Sequence, residues 1–369
     1  MNDRDIPKWW SGCRAFAAGG AVLVLAACGG DGGGGGLQDP SPEICDLDPS
    51  LLIASLPPNA IPALVEPRMV PIGDPNTNYL FDTDRVLGVV INGEARAYPH
   101  NILWHHEIIN DRFGTQTVAI SFCPLTGSGV AYDTNLGGQQ LDLGVSGLLF
   151  ANNLVMFDRT SNEIYGPQLS IEGRCEGFLG QSLDLVAVQE MSWGRWQELH
   201  PSTTVVAGDL DFGRNYRFYP YGTYDNITSR DLLFPMTVDT SRPIKERVLA
   251  IRTGDGGRGY PYLELLAMGG LATVNEMVTG IPTAIFFEAA DGQAALAFDA
   301  RVAGQTLTFD ADEAAGLFVD RETGSTWTIN GVATTGPLAG EVMQTRADAF
   351  TVFWFAWRHF QPNGEMYSR

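Results

Sequence analysis

The chain repeats itself. Asp84-Arg85-Val86-Leu87 returns as Glu246-Arg247-Val248-Leu249, and Arg96-Ala97-Tyr98-Pro99 returns at the same offset as Arg258-Gly259-Tyr260-Pro261. Ala119-Ile120-Ser121-Phe122 is answered by Ala284-Ile285-Phe286-Phe287, and Ala131-Tyr132-Asp133 by Ala297-Phe298-Asp299. Asp158-Arg159 matches Asp320-Arg321, and Tyr165 matches Trp327. Trp193-x-x-Trp196 with Pro201 matches Trp354-x-x-Trp357 with Pro362. The order holds with only small insertions. The body therefore reads as two units of about 120 residues, 84–206 and 246–369, that must each fold the same way.

Within a unit, Val86 to Ile91 alternates like a strand and runs into Asn92-Gly93, the signature of a tight hairpin. A short helix is expected over 102–109 and a buried strand over 118–122. Further strands follow around 129–132, 140–145 and 154–157. A helix then carries the tryptophan pair, whose three-residue spacing puts both rings on one face. Pro201 ends it, and a strand over 203–207 closes the unit. Forty-three glycines and twenty-one prolines imply many turns, hence short strands. The expected class is α+β, strand-dominated, with the two copies packed as a pseudo-symmetric pair; independent beads are the alternative. Residues 46–83 are expected to pack on this body. The connector 207–245 is dense in aromatics and arginine from Arg214 to Tyr224. Such residues line pockets and interfaces, or simply pack the two copies together, which is the reading preferred.

The chain opens with Arg4, Lys8 and Arg14, then an apolar, small-residue run from Ala15 to Ala27. That is the layout of a secretory signal over 1–27, too short to span a bilayer. Leu25-Ala26-Ala27-Cys28 resembles a bacterial lipobox. The resemblance implies cleavage before Cys28, a diacylglycerol on its thiol and a further acyl chain such as palmitate on its amine. Several chains give stable anchoring to the cell envelope, on the outer membrane in a Gram-negative cell. Residues 28–45, with the glycine run 32–36, read as a flexible tether. A formal charge of −20 argues against a nucleic-acid partner, which needs clustered Lys and Arg. The membrane reached through Cys28 is the partner expected.

Chemistry concentrates between Trp104 and Tyr132, where His105, His106, Glu107 and Cys123 fall close together. Cys45 and Cys175 sit in polar, turn-like contexts and form the more plausible disulfide of an exported protein, leaving Cys123 as the odd thiol. Cys123 ends an apolar run and precedes Pro124 and a glycine turn, a place suited to a metal ligand or a nucleophile; it can equally be a small core hydrophobe. His106 with Cys123, joined by Glu107 or His100, would suit copper or zinc. His106 could instead serve Cys123 as a base, or bond within the core while Glu107 pairs with Arg96. His200, at a helix end before Pro201, faces a negative pole that favours its protonated form.

Several stretches together resemble the bacterial and archaeal domain of unknown function numbered 3179. They are Val86-Leu87-Gly88-Val89, Asn92 to Pro99, His106 to Asp111, Cys123-Pro124-Leu125-Thr126-Gly127, Phe150 to Arg159, Pro220-Tyr221-Gly222, Phe234-Pro235, Lys245 and Gly336 to Gly340. The resemblance runs from about residue 50 onward and brings no settled activity. Thr126 stands where many relatives have a second cysteine, which removes a resolving thiol. His105 stands where relatives usually show tryptophan, so only His106 carries over.

The repeat supplies an internal control. Glu288 stands in copy two at the place of Cys123, and Leu266 to Gly270 replaces the His-Glu stretch. Shared residues (Arg96 and Arg258, Tyr98 and Tyr260, the tryptophans, Asp158 and Asp320) then read as fold-holding. Cys123, His106 and Glu107, present in one copy only, read as candidates for function. The expectation is a lipid-anchored envelope protein with a Cys/His site for metal or single-thiol redox chemistry. The alternative is a non-catalytic binding or scaffold protein that uses the cleft between copies and the aromatic connector.

Overall fold

A computed structural model describes residues 45–254, 256–290 and 293–369. Residues 1–27, read from sequence as a secretory signal, and Cys28, the expected lipidation position, lie outside them. Strands dominate, gathered into several sheets with four short α-helices among the described residues.

The first half opens on the hairpin β1 (Arg85–Ile91) and β2 (Glu94–Pro99). Asn92 and Gly93 join them with φ of 52° and 81°, the left-handed pair that a two-residue turn between twisted strands requires. Helix α1 (His100–His106) starts directly after Pro99, earlier than the 102–109 expected. It stops at Glu107, whose φ of 57° turns the chain out of the helix. Ile108 and Ile109, apolar enough to continue a helical face, instead begin β3 (Ile108–Phe113). A meander follows through β4 (Gln116–Cys123) and β5 (Ser128–Asp133), closed by the pair Cys123 and Ser128. Strands β6 (Leu143–Phe150), β7 (Asn153–Asp158) and β8 (Ile164–Pro167) form a separate sheet. The strand expected over 140–145 is displaced, because Gln139 and Gln140 pair back on Asn135 and Leu136. The half ends with β9 (Gln189–Ser192), α2 (Trp193–Leu199) and β10 (Thr204–Val206). Strand β9 borders β1 antiparallel, and β10 borders β2 parallel.

The second half runs through elements of the same kinds in the same order. The hairpin β11 (Arg247–Thr253) and β12 (Gly256–Pro261) leads into α3 (Tyr262–Leu266). The meander is β13 (Leu271–Val278), β14 (Ile281–Glu288) and β15 (Ala294–Asp299). Strands β16 (Phe309–Asp312), β17 (Leu317–Asp320) and β18 (Thr326–Trp327) make the next sheet. Then come β19 (Ala349–Phe353), α4 (Trp354–Phe360) and β20 (Glu365–Met366).

The halves do not hang apart. One apolar cluster mixes Cys123, Leu125 and Leu154 with Val248, Phe353 and Trp357, and another mixes Val86 and Trp196 with Phe286, Phe298 and Trp327. The Phe353 amide also donates to the Thr126 carbonyl at 2.8 Å, tying β19 to the turn after Cys123. The tryptophans fill space that the glycines leave. A Cβ on Gly88 would sit 2.1 Å from the Trp196 ring, and one on Gly257 would sit 2.7 Å from the Trp357 ring.

Residues 46–83 lie along the first half: Leu52–Ala54 on β6, Leu64–Val65 on β3 and Met69–Pro71 on β10. Cys45 and Cys175 are joined by a disulfide. Arg96 pairs with Asp111 at 2.7 Å and with Glu94 at 2.6 Å, so the Arg96–Glu107 pair raised from sequence does not form. Tyr98 donates to the same Asp111 at 2.6 Å. In the second half Arg258 and Tyr260 converge on Glu276 in the same way. His200 is also corrected. Its ring stacks 4.0 Å from that of Trp196, and burial holds it down to about 4, so the imidazole is neutral in spite of the helix end.

Candidate functional site

Strand alternation decides what Cys123 can do. Phe122 and Pro124 border a cleft, whereas the Cys123 side chain packs into the shared core with Leu154, Tyr224 and Ile244. Its thiol donates weakly to the Asn152 carbonyl at 3.6 Å. Burial, then the charge of Glu107, pushes the thiol up to about 11. Cys123 is thus a protonated, enclosed thiol.

His106 stands elsewhere. Its Nδ1 meets the Pro62 carbonyl at 2.7 Å and its Nε2 meets the Tyr216 hydroxyl at 2.7 Å. Both ring nitrogens are engaged, and burial lowers the group to about 4. No nitrogen is left for a metal or for the Cys123 proton. Among the described residues, no three His, Cys, Asp or Glu side chains converge as a metal donor set. Cys123 and His106 are therefore not brought together as a pair of metal donors, which departs from the copper or zinc site expected from sequence. His105 packs edge-on against Tyr216 and is lowered to about 4, by burial first.

Glu107 does reach the neighbourhood of Cys123. Its backbone sits in a region that non-glycine residues adopt only under strain, and such positions cluster at functional sites. Burial alone pushes its carboxyl up to about 8. The companion that the sequence did not single out chemically is Lys245. Its ammonium is buried, has no hydrogen-bond partner, and stands 3.2 Å from the centre of the Tyr224 ring and 4.9 Å from that of Phe355. Burial pulls it down to about 7, while Cys123, Asp231 and Asp225 hold it up. Tyr224 in turn donates to the Leu125 carbonyl at 3.0 Å, clamping the Cys123 turn. Thiol, carboxyl and amine are each driven toward their uncharged forms.

The connector explains this enclosure. Tyr216 caps His106, Tyr221 reaches the Trp104 carbonyl at 3.4 Å, and Tyr224 covers the thiol and the amine. The aromatics bind chiefly to the first half, over α1 and the Cys123 turn.

On the other side of β4 lies a cleft of about 420 Å³. The first half gives it Arg85, His100, Trp104, Phe122 and Glu190; the second gives it Arg247 and Phe353; the connector gives it Tyr219 and Asp225. Arg85 donates from Nε to Glu190 at 2.7 Å and from Nη1 to the Gln293 carbonyl at 3.0 Å, and its Nη2 has no partner. Burial opposes its charge but Glu190 and Tyr262 outweigh it, leaving Arg85 raised. His100 stacks on Phe122 at 4.0 Å, with Nε2 3.7 Å from Glu190 and unbonded. Burial brings His100 down to about 3 against the pull of Glu190. The second carboxylate oxygen of Glu190 is also unpartnered.

Arg85 and Arg247 hold matching places in the two halves as aligned from sequence, where shared residues read as framework. The structure gives them a different part: both face one cleft. The signal in sequence was present, an arginine heading the first strand of each copy, but nothing local says that two strand starts 162 positions apart will meet.

The family described as "Protein of unknown function (DUF3179)" matches residues 58–364. No curated protein and no solved structure matches the chain. The chain belongs to that family.

Proposed function

We propose that this member of the family is a lipid-anchored protein of the cell envelope that binds a small ligand in the cleft between its halves. The halves are read as copies of one unit, packed as a pseudo-symmetric pair. The matching order of elements and sheets supports that reading. The anchor rests on the Leu25 to Cys28 pattern and the tether behind it. The Cys45–Cys175 bridge agrees with an oxidising compartment.

One observation carries the binding role. Arg85 Nη2, His100 Nε2 and Glu190 Oε2 are buried, belong to residues bordering the same cleft, and have no hydrogen-bond partner. Buried polar atoms are nearly always satisfied, and each orphan costs about 1–3 kcal/mol. A ligand's polar groups would remove that cost. The test is a thermal-shift screen of small polar compounds on the purified chain. Hits should lose their effect in Ser192→Trp, which fills the cleft, and keep it in Arg301→Ala, in another cavity. Hits insensitive to Ser192→Trp would place binding elsewhere.

A second reading keeps single-thiol chemistry at Cys123, favoured by the unpartnered Lys245 amine within electrostatic reach of the thiol. A neutral amine beside a thiol can accept its proton, here by an uphill transfer, because burial weakens both the thiol as an acid and the amine as a base. Alkylation of Cys123 should then slow in Lys245→Met; an unchanged rate would remove Lys245 from that role.

A further inference from the structure

We infer that the cleft is a clamp for a small organic acid, its single carboxylate held between Arg85 and Arg247 and its apolar body laid against Trp104, Phe122 and Phe353. The inference rests on the binding role proposed above and names its ligand class.

The two guanidinium groups converge on one residue. Arg85 Nη1 meets the Gln293 carbonyl at 3.0 Å, and Arg247 Nη1 meets the Gln293 side-chain oxygen at 3.5 Å. Arg85 is buried and Arg247 half-buried; like charges facing one cleft repel, and an anion between them reverses the sign of the interaction. Burial first, then the charge of Arg85, hold Arg247 below its ordinary range, and Glu190, Tyr262 and Asp225 offset this only in part. Among the described residues Arg247 forms no ion pair, whereas two of the three arginines around the next cavity do, Arg301 with Asp299 and Arg346 with Asp348, and the third, Arg252, donates to the Ser170 carbonyl at 3.1 Å. On the other guanidinium, Nη2 of the nine-tenths-buried Arg85 makes no well-formed hydrogen bond, the Tyr262 hydroxyl being, after Glu190, the neighbour that supports its charge. Planar forks with spare donors suit a carboxylate.

The rest of the wall limits the charge and shape of the guest. Glu190 is bound to Arg85, Asp84 accepts from the Phe81 amide and from Asn101, and Asp225 also borders the cleft. With Arg85 already paired to Glu190, Arg247 is the guanidinium left to balance one added negative charge, which disfavours a doubly charged guest such as phosphate. Trp104 and Tyr219 meet edge to face at 4.9 Å, and with Phe122 and Phe353 they form an apolar floor. The neutral His100 ring offers an unbonded nitrogen beside it. The cleft, of about 420 Å³, has room for a guest of small-molecule size.

The experiment is saturation-transfer NMR and calorimetric titration of the purified chain with phenylacetate, phenylacetamide and inorganic phosphate. Phenylacetate should bind, the amide should bind about tenfold or more weakly, and phosphate should not displace the acid. Arg247→Gln should weaken the acid about tenfold and leave the amide unchanged, and Arg247→Lys should recover only part of the loss. Arg301→Gln should change nothing, and near-UV circular dichroism checks that each variant is folded. If acid and amide bind alike and both are lost in Ser192→Trp, the clamp is wrong and the binding cleft stands. Displacement by phosphate overturns the single-charge limit. If neither aromatic probe binds at concentrations far above those of ordinary ligands, the clamp and its cleft both fall.

Discussion

Replacing Lys245 with methionine asks whether burial or aromatic neighbours govern this amine. Burial brings Lys245 to about 7 from an ordinary 10.5. Such a shift corresponds to roughly 4–5 kcal/mol between charged and neutral forms. Against it stand Tyr224 at 3.2 Å and Phe355 at 4.9 Å, and rings around a desolvated cation contribute about 2 kcal/mol. Burial wins by roughly 2–3 kcal/mol. The folded value lies below the unfolded one, so the folded chain binds fewer protons between them. The contribution to stability is therefore complete above pH 10.5 and is lost as pH falls through about 7. Methionine keeps the flexible stem and has nothing to titrate. Lys245→Met should exceed wild type by about 2 kcal/mol near pH 6.5, a midpoint difference of roughly 3 °C for a chain of this size, and the gap should close near pH 10. Parallel thermal unfolding of the two proteins across that range measures it. A gap of constant size, or a variant less stable at every pH, would refute the dominance of burial and show the ammonium to be held by its aromatic box.

Glu107 has the opposite sign: its folded value is raised from 4.5 to about 8, so its contribution is complete below pH 4.5 and lost as pH rises through 8. Glu107→Gln should accordingly gain on wild type across that window, by roughly 3 kcal/mol at pH 7, in the same unfolding series. Gly88→Ala puts a Cβ 2.1 Å from the Trp196 ring and should lower stability by about 2–3 kcal/mol in urea titrations; an unaffected midpoint would mean that the indole moves freely. Cys123, raised from 9.0 to about 11, should be alkylated at pH 7.5 about a hundredfold more slowly in the folded chain than in urea. Cys175→Ala opens a bridge between positions 130 apart and should reduce stability by about 4–5 kcal/mol under oxidising conditions.

Much of the framework was legible because it is local. Asn92-Gly93 specifies its hairpin, Val118 to Phe122 is too apolar to lie anywhere but inside, and Trp193 and Trp196 share a helical face. The helix boundary was misplaced because Ile108 and Ile109 satisfy a helical period as well as a strand one. What separates the two is Glu107, whose left-handed backbone breaks the helix where no glycine or proline announces it. Cys45 and Cys175 could be preferred as the pair because both stand in polar, turn-like contexts whereas Cys123 ends an apolar run, and the structure joins them. The Cys/His site was assembled from proximity along the chain, and proximity along the chain is a poor guide here. His106 and Cys123 lie on different elements, and Tyr216, 110 positions after His106, takes the ring nitrogen that a metal would need.

By itself the sequence determined the strand-dominated framework with its recurring motifs, the acidic balance, the number of thiols, and the confinement of the Cys123, His106 and Glu107 cluster to the first half. These follow from composition, periodicity and comparison within one chain. Only the tertiary structure decided which groups carry charge and which meet. Lys245, Glu107 and His106 are moved toward neutrality by the side chains that exclude water from them, and those arrive from the connector and the other half. Arg85 and Arg247 become a pair because two strand starts face one cleft. Desolvation and electrostatic coupling act through space, and the order of residues along a chain records neither.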